Sequence, residues 1–215
     1  MPKQPEGKLA AVSGARTDIN PQEHYDAWSA DYDADLIHTY GYVAPRIAVE
    51  AFLTAAPDRQ ATIIDLGCGT GLVGRKLASN GYTRIDGLDI SPGMLSQARR
   101  LGIYRQLLPG NLTKRTSIPD ASYDALICVG AFGGGHVGPD NLRELIRVVK
   151  PGAPMVIYMN ALPYEERDYP RRFRDLQSAG FWEVEKIESS NYMDALERPG
   201  RLIIAKRTGS RPIVV

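Results

Sequence analysis

Asp65, the alternate glycines Gly67, Gly69 and Gly71, and a second acid at Asp89 are the residues of this chain whose types and spacing could do chemistry. The run Ile63-Ile64-Asp65-Leu66-Gly67-Cys68-Gly69-Thr70-Gly71 reads as a buried strand ending in a glycine loop, with a helix pattern beyond it. Glycines at alternate positions let main chain approach a ligand that any Cβ would obstruct. Asp89 closes a second apolar run, Ile85 to Leu88, where a carboxylate can accept hydrogen bonds from ribose hydroxyls. Glycine loop and acid together point to a nucleoside-bearing ligand.

Loop spacing and charge separate the candidate ligands. A dinucleotide pyrophosphate needs G-x-G-x-x-G and a helix N-terminus that favours negative charge. Here the spacing is G-x-G-x-G, and Asp65 directly before it would repel a pyrophosphate. An acid there suits a ligand presenting an ammonium group and hydroxyls, as S-adenosyl-L-methionine does. A nicotinamide-dependent oxidoreductase is therefore the weaker reading.

These residues resemble the class I S-adenosylmethionine-dependent methyltransferases, whose first motif is similar to Asp65 through Gly71. Asp89-Ile90-Ser91-Pro92-Gly93-Met94-Leu95 is similar to the family's second motif, Ser122 to Val129 to its fourth strand, and Leu145 to Gly152 to the helix and turn before its fifth. Val129-Gly130-Ala131-Phe132 and the Ser-Pro-Gly-Met-Leu segment also resemble the methyltransferase-like proteins of the Williams-Beuren chromosomal region. The resemblance implies a seven-stranded, mostly parallel, doubly wound Rossmann-like α/β sheet, S-adenosyl-L-methionine as cofactor and S-adenosyl-L-homocysteine as product. It implies cofactor contacts from Asp65, Gly67, Cys68, Gly69, Gly71, Asp89, Ile90, Met94 and Val129, with Asn111-Leu112 where an Asp or Asn meets the adenine amino group. Following Pro109-Gly110, Asn111 also has the ordinary reading of a turn former.

The elements that must position these residues follow from periodicity. Residues 1–19 lack it and carry Pro2, Pro5 and Gly7, so a mobile tail is expected, followed by one methyltransferase domain over 20–215. Within it, 20–56 reads as a helical lid and 61–215 as the sheet core. Tyr25, Trp28 and Tyr32 recur at helical spacing, which predicts three aromatics on one face. They read either as core anchors or as a cover whose ring faces attract a sulfonium cation. Strands are predicted at Thr62–Leu66, up to Asp89, at Tyr104–Leu108, Tyr123–Val129, Met155–Met159, Phe181–Ile187 and Leu202–Lys206, alternating with helices until an antiparallel last pair. Ser91 is the expected N-cap of a helix opened by Pro92.

Methyl transfer from a sulfonium asks chiefly for alignment and exclusion of water. A protonated acceptor adds the need for a base, and His136, in the glycine-rich loop after the fourth strand, is the candidate, against the reading of a loop histidine that caps. The segment after that strand is not Asn-Pro-Pro-Tyr, which disfavours planar-nitrogen acceptors. A small-molecule acceptor is expected, a protein side chain is the second class, and a non-catalytic cofactor-binding regulator or scaffold is the rival.

A net charge of +1 over 215 residues gives no global field toward nucleic acid or an anionic membrane. Two cysteines, Cys68 and Cys128, exclude a disulfide framework and a cysteine metal cluster. With no apolar stretch of signal-peptide or membrane-spanning length, a soluble cytoplasmic protein in a reducing compartment is expected.

Overall fold

The computed structural model describes residues 7–13, 20–56, 58–132, 137–209 and 213. Seven strands form one sheet in the order β3-β2-β1-β4-β5-β7-β6: β1 Ile63–Leu66, β2 Ile85–Asp89, β3 Tyr104–Pro109, β4 Ala125–Val129, β5 Pro154–Asn160, β6 Trp182–Met193 and β7 Arg198–Arg207. The first five strands run parallel, and β7 is antiparallel to both β5 and β6. Residues of β1, β2 and β4 are buried throughout, as apolar runs covered on both faces must be. This is the seven-stranded, mostly parallel sheet that the alternating pattern predicts.

The helices are α1 Gly7–Ser13, α2 Pro21–Trp28, α3 Tyr32–Ala34 running into a π-helical turn Asp35–Thr39, α4 Ala44–Ala55, α5 Leu72–Ser79, α6 Pro92–Arg100, α7 Leu142–Val148, α8 Ala161–Glu166 and α9 Tyr169–Ser178. One face of the sheet packs on side chains of α7 and α9, the other on α4, α5 and the N-terminal helices. Ser91 Oγ accepts from the Met94 amide at 3.0 Å, so α6 begins at the expected cap. Strand order reverses between β1 and β4, and the loops leaving their carboxyl ends flank the resulting crevice.

Two expectations need correction. Residues 7–13 of the expected tail form a helix whose Leu9 is buried, with Lys8 paired to Asp31 at 3.0 Å, while 1–6 and 14–19 lie outside the described residues. Tyr25, Trp28 and Tyr32 do not share one helix either: α2 stops at Trp28 and a turn separates it from Tyr32. The turn is held by Ser29 Oγ donating to the Asp26 carbonyl at 2.9 Å, a local side-chain bond that competes with helix continuation.

Candidate functional site

A cavity of about 290 Å³ opens at the carboxyl ends of β1, β2 and β4. It is built first by backbone. Gly67 (φ +71°), Gly69 (φ +54°) and Gly71 (φ +97°) all occupy the left-handed region that favours glycine. A Cβ on Gly67 would meet Ala131 Cβ at 2.8 Å, so the loop lies against the segment leaving β4. A Cβ on Gly69 would meet no protein atom within 4 Å, so its bare Cα borders open space in the cavity wall.

Asp89, the last residue of β2, ties the second loop to the first. Its Oδ2 accepts from the Gly69 amide at 2.9 Å and its Oδ1 from the Ser91 amide at 2.9 Å. It lines the cavity with 9% of its surface exposed. Burial raises its pKa, while the Ser91, Gly69 and Ile90 amides oppose the rise. Each oxygen keeps a lone pair beyond its amide bond, which is what a vicinal diol requires.

Ten of the expected contacts line the cavity: Tyr25, Tyr32, Gly67, Gly69, Asp89, Ile90, Met94, Asn111, Leu112 and Val129. Asn111 supports both of its readings, since it borders the cavity while its Oδ1 accepts from the Thr113 amide at 2.9 Å. Four expected positions do not reach the cavity wall. Trp28 is fully buried behind the tyrosines and donates its indole N–H to Asp35 at 2.6 Å. Cys68 turns toward β2, where a Cβ on Gly87 would meet its Sγ at 2.9 Å. The Cα hydrogen of Gly71 faces Leu101 Cδ1, which a Cβ would approach to 2.6 Å.

Asp65 lies beneath the loop, 1% exposed, with Oδ2 accepting from the Tyr104 hydroxyl at 2.8 Å. Its Oδ1 is buried without a hydrogen-bond partner. Burial pushes its pKa up to about 7, with Asp89 adding to the rise and the Tyr104 and Gly74 bonds opposing it. His136 lies outside the described residues.

The cover carries more polar contacts than the sequence discloses. Asp26 of α2 accepts from Ser91 Oγ at 2.5 Å and from the Gly93 amide at 2.8 Å, while Asp33 of α3 accepts from Thr70 Oγ1 at 2.5 Å. Tyr25 and Tyr32 meet edge to face at 6.0 Å, and Tyr42 and Tyr192 at 5.3 Å. Burial raises the pKa of all four phenols, so they stay protonated at neutral pH. Among the wall residues that sequence reasoning missed are Asn20, Gln22, Thr113 and Gly130; of these four the first three gave no sign. Gly130, in the glycine-rich stretch after β4, carried one.

Sheet order, the glycine loop and the carboxylate bound to it define a class: Rossmann-like α/β proteins with a cleft at the β1/β4 switch point. The sequence profile of the methyltransferase domain family matches residues 63–152. Human methyltransferase-like protein 27 is 38% identical over 166 residues, 74% of this chain and 66% of that protein. The 2-methyl-6-phytyl-1,4-hydroquinone methyltransferase of Synechocystis is 29% identical over 180 residues, 69% of this chain and 54% of that protein. In fold, the crystal structure of the [4+2]-cyclase SpnF superposes with a TM-score of 0.70 at 15% identity, covering 92% of this chain and 99% of that one. The chain belongs to the class I S-adenosylmethionine-dependent methyltransferases. It spans 66% and 54% of the lengths of the two curated relatives.

The cofactor of this class is S-adenosyl-L-methionine, and the residues present fit it. The bare Cα of Gly69 leaves room beside the loop, Asp89 offers acceptors for a diol, and the wall is apolar where Ile90, Met94 and Leu112 border it.

Proposed function

We propose that this protein is a methyltransferase that transfers the methyl group of S-adenosyl-L-methionine to a small molecule. The observation that carries this reading is the cavity whose wall includes the Gly69 amide and the Asp89 carboxylate bound to it. The name of the Synechocystis relative, a hydroquinone methyltransferase, supports the small-molecule class of acceptor.

Asp89 would hold the ribose hydroxyls, Ile90, Met94 and Leu112 would enclose the adenine, and Asn111 would meet its amino group. The Gly67–Gly69 backbone meets the methionyl group. Asp65, buried beneath the loop and outside the cavity wall, would order the loop from below through the Tyr104 hydroxyl. Tyr25 and Tyr32 cover the sulfonium, and Trp28 holds them from behind. When bound, the cofactor supplies an electrophilic methyl group: an acceptor lone pair bonds to that carbon while the C–S pair returns to sulfur.

The protein's share is alignment and exclusion of water. The buried phenols keep their protons, so Tyr25 and Tyr32 pack and donate and do not act as bases. His136 is the residue proposed to take a proton from an acceptor that carries one. Two buried, free cysteines suit a reducing, cytoplasmic compartment, and among the described residues no helix is long and apolar enough to cross a membrane.

Incubating the protein with methyl-labelled cofactor and a metabolite extract tests the reading. Label is expected in a low-molecular-weight product; cofactor binding with no transfer to any fraction would leave a regulator in its place.

A further inference from the structure

Arg198 is 94% buried, being only 6% exposed, and its Nη1 has no hydrogen-bond partner. Among the described residues no carboxylate is paired with it; burial lowers its pKa, and Tyr192 acts in the opposite sense. Among the described residues, the other two arginines buried as deeply have hydrogen-bond partners. Arg147 binds Glu144 and Asp120, and Arg207 donates to the carbonyls of Arg147 and Val149. A buried guanidinium that lacks both an anion and a full set of acceptors is costly to the fold, and the unmatched Nη1 calls for an acceptor from outside it.

Position specifies where that charge comes from. Arg198 opens β7, and two residues later Gly200 pairs with Asn160 at the carboxyl end of β5, so Arg198 stands at the sheet end that carries the cofactor cleft. Strand alternation puts it on the face of Gly200 and Leu202, the face where Gly200 abuts the Tyr158 ring. Across the β6/β7 pair it faces Met193, next to Tyr192. The Tyr192 and Tyr42 hydroxyls lie 3.5 Å apart. Both crowd Gly130, whose Cβ would meet them at 3.0 and 2.6 Å, and Gly130 itself lines the cleft. Tyr42, Tyr192 and Arg198 thus make a buried polar wall behind Gly130, and only Gly130 itself lines the cavity.

We propose that this wall is the acceptor's binding site, and that the methyl acceptor carries an anionic oxygen group, a carboxylate or a phosphate, which Arg198 binds. The proposal rests on the methyltransferase reading and narrows its substrate class. Tyr192 and Tyr42, held as neutral phenols by burial, donate hydrogen bonds along the path between that anion and Gly130. The reacting atom of the acceptor then lies toward the cofactor, with the anion on the far side. Arg198 is a binding residue that fixes orientation, and it takes no part in bond making.

The test uses methyl-labelled cofactor and a metabolite extract split on an anion exchanger into bound and unbound fractions. Wild type, Arg198→Met and Arg198→Lys are compared, with S-adenosylhomocysteine calorimetry on each protein. Label is expected in products made from the bound fraction, falling about tenfold or more in Arg198→Met and less in Arg198→Lys. Homocysteine-nucleoside affinity should be equal in all three. The ligand-free unfolding midpoint of Arg198→Met should equal or exceed that of wild type, because an unmatched buried charge is gone. Phosphatase treatment of the bound fraction beforehand removes labelling if the anion is a phosphate and leaves it if it is a carboxylate. Label made from the unbound fraction, or undiminished labelling by both variants at wild-type cofactor affinity, overturns the proposal. A fall in midpoint with unchanged transfer by Arg198→Lys overturns it as well, by making the residue structural. If wild type binds no cofactor, or labels nothing from either fraction, the methyltransferase reading fails and the anion site fails with it.

Discussion

Asp26 Oδ1 lies 2.5 Å from Ser91 Oγ. The carboxylate of α2 therefore sits over the first turn of α6, where it also accepts from the Gly93 amide at 2.8 Å and meets the positive end of that helix. With the Asp33–Thr70 bond, each of the two cofactor loops is tied to the helical cover by one acid. Cover and cradle are mechanically one unit, so damage to the ties should be read out as cofactor affinity.

Asp26→Ala leaves Ser91 Oγ and the Gly93 amide short of an acceptor. A loss of stability of about 1–3 kcal/mol is expected, together with weaker S-adenosylhomocysteine binding. Denaturant melts and calorimetry check the two effects; unaltered affinity would mean that the cover is not coupled to the site.

Asp89→Ala removes the acceptor shared by the Gly69 and Ser91 amides and the one assigned to the ribose. Cofactor affinity should fall about ten- to a hundredfold. Asp89→Asn should lie between the two, because it keeps one carbonyl acceptor. Calorimetry with S-adenosylhomocysteine on both variants measures the order.

Gly67 and Gly69 should respond differently to the same change. Alanine at Gly67 meets Ala131 Cβ at 2.8 Å in a left-handed conformation, which predicts a destabilised fold. Alanine at Gly69 meets only the left-handed strain of about 1–2 kcal/mol, yet its methyl enters the space beside the loop. Gly69→Ala should fold and lose cofactor binding, while Gly67→Ala should lose thermal stability first.

Asp65 sets a pH dependence. Its pKa in the folded protein is pushed up to about 7, above the ordinary value near 4 of an unfolded chain. The folded state therefore holds the extra proton between these values. Stability falls as pH rises from about 4 to about 7 and is flat above that range, as far as Asp65 contributes; Asp89, also raised, adds in the same sense. Asp65→Asn should flatten the profile and gain stability relative to wild type at pH 8. Urea midpoints at pH 5 and pH 8 decide it, and an unchanged slope in the variant would place the titration elsewhere.

The parts of the site legible in the sequence were those determined by neighbours along the chain. Gly67, Gly69 and Asp89 each end a strand or turn a loop, and Ser91-Pro92 caps a helix, so residue type alone signals the geometry. Side-chain direction within the loop was not legible: Cys68 and Gly71 share the motif but face Gly87 and Leu101. The break after Trp28 was hidden because aromatic spacing continues across it while Ser29 bonds back to Asp26. Tyr42, Tyr192 and Arg198 gave no signal at all. They meet through the antiparallel return of β6 and β7 and the Tyr42–Met193 bridge, which are long-range pairings without a local pattern.

Calorimetric titration of the wild-type protein with S-adenosylmethionine, S-adenosylhomocysteine and NAD, repeated on Asp89→Ala, tests the central claim most directly. Saturable binding of both adenosyl ligands, sharply weakened by the substitution, and no binding of NAD are expected. Tight NAD binding, or adenosyl binding indifferent to Asp89, would contradict that claim.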